Sequence, residues 1–277
     1  MDQCFLGKNC TNGVFLQFTG SLPSVYCVYR MTPEEKWLLS EKYAGLQTDG
    51  YAADKKRLAA GEPLAYVIGH QPFLDLTIYL GSHPLIPRPE TEWWTEQLLD
   101  SVSDQSRTRR VLDFLDLCAG SGAIGCAALA RLPNAHVYFG EVDPAHEPTI
   151  RTNIRENHLD ESRADVRIGD LFEPFDGVRF DVIAANPPYI PAGRELPQSV
   201  AGHEPARALF AGGDGLAVIR RIAEELPRRL APGGAAWVEC DSEHAEAARG
   251  LFAEQGFNAE IRNDQYDRPR VIVVSFP

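Results

Sequence analysis

The sequence holds no apolar run of about 18 residues, so nothing in it reads as a membrane-spanning helix. No compact apolar stretch follows basic residues near the start, which argues against a secretory leader. Basic residues are in deficit: 27 Lys and Arg stand against 39 Asp and Glu, for a net charge of −12. Binding a long nucleic acid takes a clustered basic surface, so no direct partner of that kind is expected. A local basic patch or a basic protein partner is compatible with this charge. None of the six cysteines forms Cys-x-x-Cys or pairs with His at metal-ligand spacing, so no metal is expected. Cys118 and Cys126 flank a glycine-rich loop in apolar sequence and read as reduced packing residues, which points to the cytoplasm. A phosphate-cradling Gly-x-x-x-x-Gly-Lys is absent as well. What remains is an ordinary globular composition, 44% hydrophobic and 24% charged over 277 residues, enough for one large domain and a small one.

Residues 1–30 have no helical period, and three of the six cysteines fall there. They read as an extension without a fold of its own, with Met31 as the expected start of the chain proper. Thr32-Pro33-Glu34-Glu35 then carries a capping-box signature and a proline suited to a first turn. Residues 31–68 read as a small helical domain, its apolar stripe formed by Trp37, Leu38 and Tyr43 and its basic Lys55-Lys56-Arg57 on a solvated face. The alternating stretch Phe73 to Leu80, between Gly69 and Gly81, predicts a β-hairpin linker over 69–84. Arg88 and Glu90 sit on a rigid Pro-rich turn, facing either a cleft or each other at the surface. Thr91 is placed to cap a helix from Glu92 to Leu99.

From Arg110 the texture becomes βαβ. Strands are expected at 111–117, 136–140, 166–170, 180–185, 235–240, 257–262 and 271–276, with helices between most of them. This alternation predicts an α/β fold with a doubly wound, mainly parallel seven-stranded sheet over 85–277, its last two strands antiparallel.

Four strand ends carry the chemistry. Cys118-Ala119-Gly120-Ser121-Gly122 is a tight turn whose glycines let a ligand approach the backbone. Asp116 precedes it, where a carboxylate can hold an ammonium. Glu141 ends the second strand and is placed to take both hydroxyls of a ribose, with Asp143 as its rival. Asp170, with Leu171 beside it, ends the third strand and can take an adenine amino group. An amino acid end, a ribose and an adenine together describe S-adenosylmethionine. The fourth strand runs into Asn186-Pro187-Pro188-Tyr189. Two prolines stop the ladder, because neither has an N–H to give. The Asn186 side-chain oxygen and the Pro187 carbonyl can accept both N–H bonds of a planar –NH2 group, and the Tyr189 ring can lie on its plane. Pro188 stiffens the turn.

With these residues in view, the chain resembles class I S-adenosylmethionine-dependent methyltransferases. Within them it is similar to the protein-glutamine N5-methyltransferases that modify peptide chain release factors, the HemK family. The resemblance runs from about Gly61 onward. It rests on Gly61-Glu62-Pro63-Leu64-Ala65-Tyr66, on Leu85 to Glu92, on Asp116 to Gly125, on Asn186 to Ile190, on Glu204-Pro205, and on Gly212-Gly213-Asp214-Gly215-Leu216. It implies a Rossmann-like fold and a release factor as protein substrate, methylated on the glutamine of a Gly-Gly-Gln loop. It also implies a helical N-terminal domain that docks that substrate. No membrane partner is expected, and a monomer is. Glu141 stands where the family usually has Asp, and Cys118 where Gly is frequent. Two other readings share the tetrad: an N6-adenine nucleic-acid methyltransferase and a ribosomal-protein glutamine methyltransferase. A non-catalytic binding module is a third.

Overall fold

The computed structural model of the protein describes residues 15–16, 25–26, 31–106 and 111–277. The chain forms two compact units, residues 1–60 and 61–277. In the first, Phe15–Leu16 (β1) pairs antiparallel with Val25–Tyr26 (β2). Otherwise the expectation that 1–30 lacks a fold lies outside the described residues. Two helices follow, α1 (Pro33–Tyr43) and α2 (Asp49–Ala59). The capping box forms as its sequence dictates: the Thr32 hydroxyl accepts from Glu35 N–H at 3.2 Å, and Thr32 N–H donates to the Glu35 carboxylate at 3.0 Å. The stripe on α1 is narrower than expected. Leu38 is fully buried, but Trp37 is 58% exposed, because adjacent residues on a helix point about 100° apart. Tyr43 donates to Asp54 at 2.7 Å and joins the two helices.

The second unit opens with α3 (Leu64–Ile68) and the hairpin β3 (His70–Phe73) and β4 (Leu76–Tyr79), registered His70 to Tyr79. The hairpin matches the sequence; α3 does not, since five residues carry too little periodicity to be read. Tyr66 on α3 donates to Pro84 O at 2.6 Å and shares a core with Trp94, so α3 belongs to this unit rather than to the helical one before it. Helix α4 (Pro89–Ser106) begins two residues before the expected cap. Proline suits a first turn, where its missing N–H is not needed. Thr91 therefore lies inside the helix, and its hydroxyl is spent on a tertiary contact described below.

Alternating strands and helices make the rest. They are β5 (Leu112–Leu117), α5 (Ala123–Arg131), β6 (Ala135–Glu141), α6 (Glu147–Glu156), β7 (Ala164–Ile168) and β8 (Phe180–Ala185). Two four-residue helices follow, α7 (Gln198–Ala201) and α8 (Ala206–Leu209). Then come α9 (Ala217–Arg229), β9 (Leu230–Glu239), α10 (Ala245–Glu254), β10 (Asn258–Asn263) and β11 (Pro269–Ser275). The seven strands run in the order β10-β11-β9-β8-β5-β6-β7. All pairs from β9 to β7 are parallel, and β11 is antiparallel to both its neighbours. This is the expected doubly wound sheet.

Successive residues of a strand face opposite sides, and β5 uses both. Phe114 packs into a core with Trp94, Leu98, Ile124 and Ile150, whereas Leu115 and Leu117 pack with Phe180, Ile219, Ile222 and Phe252. Each such side chain, fully buried, contributes about 1.5–3 kcal/mol. Helix α9 supplies its share through Ile219, Ile222, Ala223 and Leu226, spaced along one face. Strand β5 lies between β8 and β6, so the chain leaves it in one direction and returns on the other side. The crevice outside the carboxyl ends at such a reversal is where ligands bind in open α/β sheets.

Candidate active site

Four strands deliver their polar ends to one crevice. Registers of Leu117 with Ala185 and of Leu117 with Gly140 set Cys118, Asn186 and Glu141 side by side at the sheet's carboxyl edge. A cavity of about 390 Å³ opens there, and Cys118, Gly120, Glu141, Asp170, Leu171, Asn186 and Pro188 line it. Asp116, Ala119, Ser121, Gly122, Pro187 and Tyr189 are not among its lining residues.

The loop is held from below. Cys118, Gly120 and Gly122 all adopt positive φ, at 62°, 55° and 79°. For Cys118 this is a conformation that favours glycine. Asp116 is fully buried, and one carboxylate oxygen accepts from Gly125 N–H at 2.8 Å while the other has no partner. Burial pushes its pKa well above the usual carboxylate range, and the charge of Glu141 adds to this. Burial, with Glu141 and Asp116 nearby, also raises the pKa of the Cys118 thiol.

Glu141 is 6% exposed and accepts two backbone bonds at 2.8 Å, one from Gly120 N–H and one from Asp143 N–H. A carboxylate has about four lone-pair sites, so two remain for a ligand. The rival Asp143 lines the same cavity, and its Oδ1 caps a short turn, accepting from Ala145 N–H at 2.9 Å. Asp170 lies in an ion pair with Arg221 of α9, at 3.0 and 3.2 Å. This donor set fits the expected cofactor. It offers an orphaned buried carboxylate oxygen under the loop, a fixed carboxylate with free lone pairs, and glycine backbone at the wall.

At the other end of the crevice, Asn186 Nδ2 donates to Thr91 Oγ1 at 3.1 Å. Thr91 donates in turn to Glu239 Oε2 at 2.7 Å, and Trp94 Nε1 donates to the same oxygen at 2.7 Å. The Tyr189 hydroxyl donates to Glu239 Oε1 at 2.9 Å. Burial raises the pKa of Glu239, opposed by these three donors and by the charge of Arg270. Burial and that carboxylate hold Tyr189 well above the ordinary phenol range, so it stays protonated and donates.

The far wall comes from segments the sequence marked only as motifs. Arg88 pairs with the buried Glu204 at 2.6 Å, and Glu204 also accepts from Ile86 N–H at 3.3 Å. This resolves the open question for Arg88: it ties the Pro-rich turn to the segment that brings Pro205, Arg207 and Ala208 to the cavity. Arg221, His146, Phe210 and Val218 also line it, and sequence reading missed them. Arg221 and Val218 read only as positions on an amphipathic helix, and nothing local distinguishes them from its solvent face. His146 lies in a three-residue turn anchored to Ser82, 2.8 Å away.

Comparison with known proteins adds the family. The Methyltransferase small domain family matches residues 93–222, a span that encloses the glycine loop, Glu141, Asp170 and Asn186. A release factor glutamine methyltransferase of Mycolicibacterium smegmatis is 37% identical over 226 residues, covering 81% of this chain and 77% of that protein. Another, from Xylella fastidiosa, is 34% identical over 249 residues and covers 88% of each. A crystal structure of a methyltransferase from Pyrococcus furiosus superposes with a TM-score of 0.52 at 16% identity, over 82% of this chain and 100% of that one, a likeness of fold. With identity of this level sustained over most of both sequences, the chain belongs to the release factor glutamine methyltransferase family.

Proposed function

We propose that the crevice transfers a methyl group from S-adenosylmethionine to the side-chain amide nitrogen of the glutamine in a release factor's Gly-Gly-Gln loop. The family assignment supports the substrate. The observation that carries the chemistry is that Asn186 lines the same cavity as Glu141, Gly120 and Asp170, so an amide-binding acceptor adjoins a nucleoside-binding wall. Bound there, S-adenosylmethionine supplies a methyl group on a sulfonium, which is electrophilic without further activation. In this reading the loop Cys118 to Gly122 holds its amino acid end from above Asp116. Glu141 takes the ribose hydroxyls, and Asp170 with Leu171 takes the adenine.

An amide nitrogen is a poor nucleophile, because its lone pair is delocalised into the carbonyl. Positioning therefore carries the load. Asn186 Oδ1 and the Pro187 carbonyl accept the two amide N–H bonds and aim the nitrogen lone pair along the cleft. Pro188 holds the turn rigid, and Tyr189, tethered through its hydroxyl, supports the amide plane. Alignment of this kind lowers a barrier by about 7–11 kcal/mol. As the new C–N bond forms, the methyl–sulfur bond of the donor breaks, the sulfur leaves as a neutral thioether with the electron pair, and the nitrogen loses one proton to solvent. The helical unit of residues 31–60 is assigned to docking the release factor, and the cytoplasm is the compartment in which that substrate is met.

The test is methyl transfer from labelled donor to a purified release factor, its Gln→Ala variant and duplex DNA. Label on the wild-type factor alone is the expected result. Label on DNA would move the chain to the adenine-modifying reading.

A further inference from the structure

Glu239 lies at the end of β9 and is 1% exposed, with Thr91 at 3% and Trp94 fully buried around it. As a carboxylate Glu239 can only accept, and this fixes the direction of every hydrogen bond around it. An indole N–H can only donate, so Oε2 is an acceptor. The Thr91 hydroxyl has one proton, and at 2.7 Å it gives that proton to the same oxygen. Its lone pairs are then all it can offer to Asn186. A carboxamide that turned its oxygen toward Thr91 would place two acceptors on one proton. Leaving one contact unmade disfavours that orientation by roughly 5- to 150-fold.

We propose that Glu239, acting through Thr91, sets the flip of the Asn186 carboxamide, so that Nδ2 is spent on Thr91 and Oδ1 is left for the substrate amide. The same carboxylate holds Tyr189 by its hydroxyl at 2.9 Å, so one buried group registers both polar members of the tetrad. Glu239 and Thr91 are positioning residues: they act through Asn186 and Tyr189. Thr91 and Glu239 are 148 positions apart, and only the fold brings them together. The kinetic consequence rests on the proposed function; the orientation of Asn186 does not.

The test compares variants that keep or remove each link. Thr91→Val deletes the hydroxyl at nearly constant shape, and Thr91→Ser restores it. Glu239→Met deletes the acceptor, and Glu239→Gln retains one, because Trp94 forces the new carboxamide to turn its oxygen inward. Two readouts are taken on the full chain. The first is hydrogen exchange and chemical shift of the Asn186 side-chain amide by NMR, which needs no turnover. The second is kcat for release factor methylation beside Kd for S-adenosylmethionine. Thr91→Val and Glu239→Met are expected to lose the amide's protection and to lower kcat by about 10- to 100-fold, with Kd within a factor of about two. Thr91→Ser and Glu239→Gln are expected to recover most of both. If Glu239→Met does not fold, the Thr91 pair decides alone. A wild-type amide signal and wild-type kcat in Thr91→Val would overturn the proposal. Should the wild-type chain methylate no release factor while the amide signal still follows Thr91, the assigned substrate fails and the positioning relay stands.

Discussion

Gly125 and Gly250 are both helical glycines, in α5 and α10, and replacing each with alanine should act in opposite directions. At Gly250 an added Cβ meets nothing within 4 Å. The change there brings helix propensity alone, stabilising by about 0.5–1 kcal/mol. At Gly125 the same methyl would stand 2.3 Å from Phe139 Cε1 and 2.8 Å from its Cδ1 and Cζ. Carbon atoms in contact rest at about 3.5–4.0 Å, so ring or helix must shift by roughly 1 Å. Phe139 is fully buried and shares a core with Ile124, Cys126 and Ile150, so a displaced ring must move into other side chains. Overpacking of this kind costs about 1–3 kcal/mol, of which propensity returns up to about 1. The net loss is up to about 2 kcal/mol. For a unit of this size each kcal/mol moves Tm by about 2–4 °C. Thermal unfolding should therefore place Gly125→Ala below wild type, by up to about 8 °C, and Gly250→Ala slightly above it. Because Gly125 N–H holds Asp116 beneath the glycine loop, S-adenosylmethionine affinity should fall in the first variant and not in the second. Equal Tm values, or the reverse order, would refute the close-packing argument for how the loop is positioned.

Two further outcomes follow from the cofactor wall. Glu141→Ala removes a charged acceptor, and losing even one bond of about 1.5–3 kcal/mol should weaken donor affinity, measured by titration, by at least about 10-fold. Asp143→Ala, which removes a turn cap at the cavity wall, should weaken it far less; equal losses would return the ribose contact to an open choice. Asp116 makes a pH prediction. Its pKa is raised in the folded chain, so the folded state keeps a proton that the unfolded state has released. Stability then falls as pH rises from the ordinary aspartate value of about 3.9 through the raised one, and is level above it. In Asp116→Asn that fall is gone, so the variant's Tm minus the wild-type Tm should grow with pH over the same window. A difference that stays flat from about pH 4 to 9 would sink the assignment.

Much of this was legible because the sheet is a local-pattern fold. The apolar run Phe180 to Ala185 and the prolines after it place a strand end without reference to anything else, and β8 spans those residues. The glycine loop and Glu141 follow from the same logic of strands that stop at polar residues. The unread parts are those that depend on distant partners. Thr91 looks like a cap from its neighbours alone, yet its hydroxyl belongs to Glu239 across the sheet. Arg221 reads as the polar side of an amphipathic helix, and only the placement of α9 over the crevice sets it against Asp170. Trp37 misled because hydrophobicity marks what a residue tolerates rather than which way a helix turns it.

The central claim is that one crevice separates two tasks, donor binding at the Glu141 end and amide positioning at the Asn186 end. Asn186→Ala tests it most directly, by titrating S-adenosylmethionine and by following single-turnover methylation of a release factor with the same preparation. The account predicts donor affinity close to wild type and a transfer rate lower by about 100- to 1000-fold, the cost of losing one aimed hydrogen-bonding group. A variant that transfers methyl at the wild-type rate, or one that loses donor binding and rate together, would contradict it.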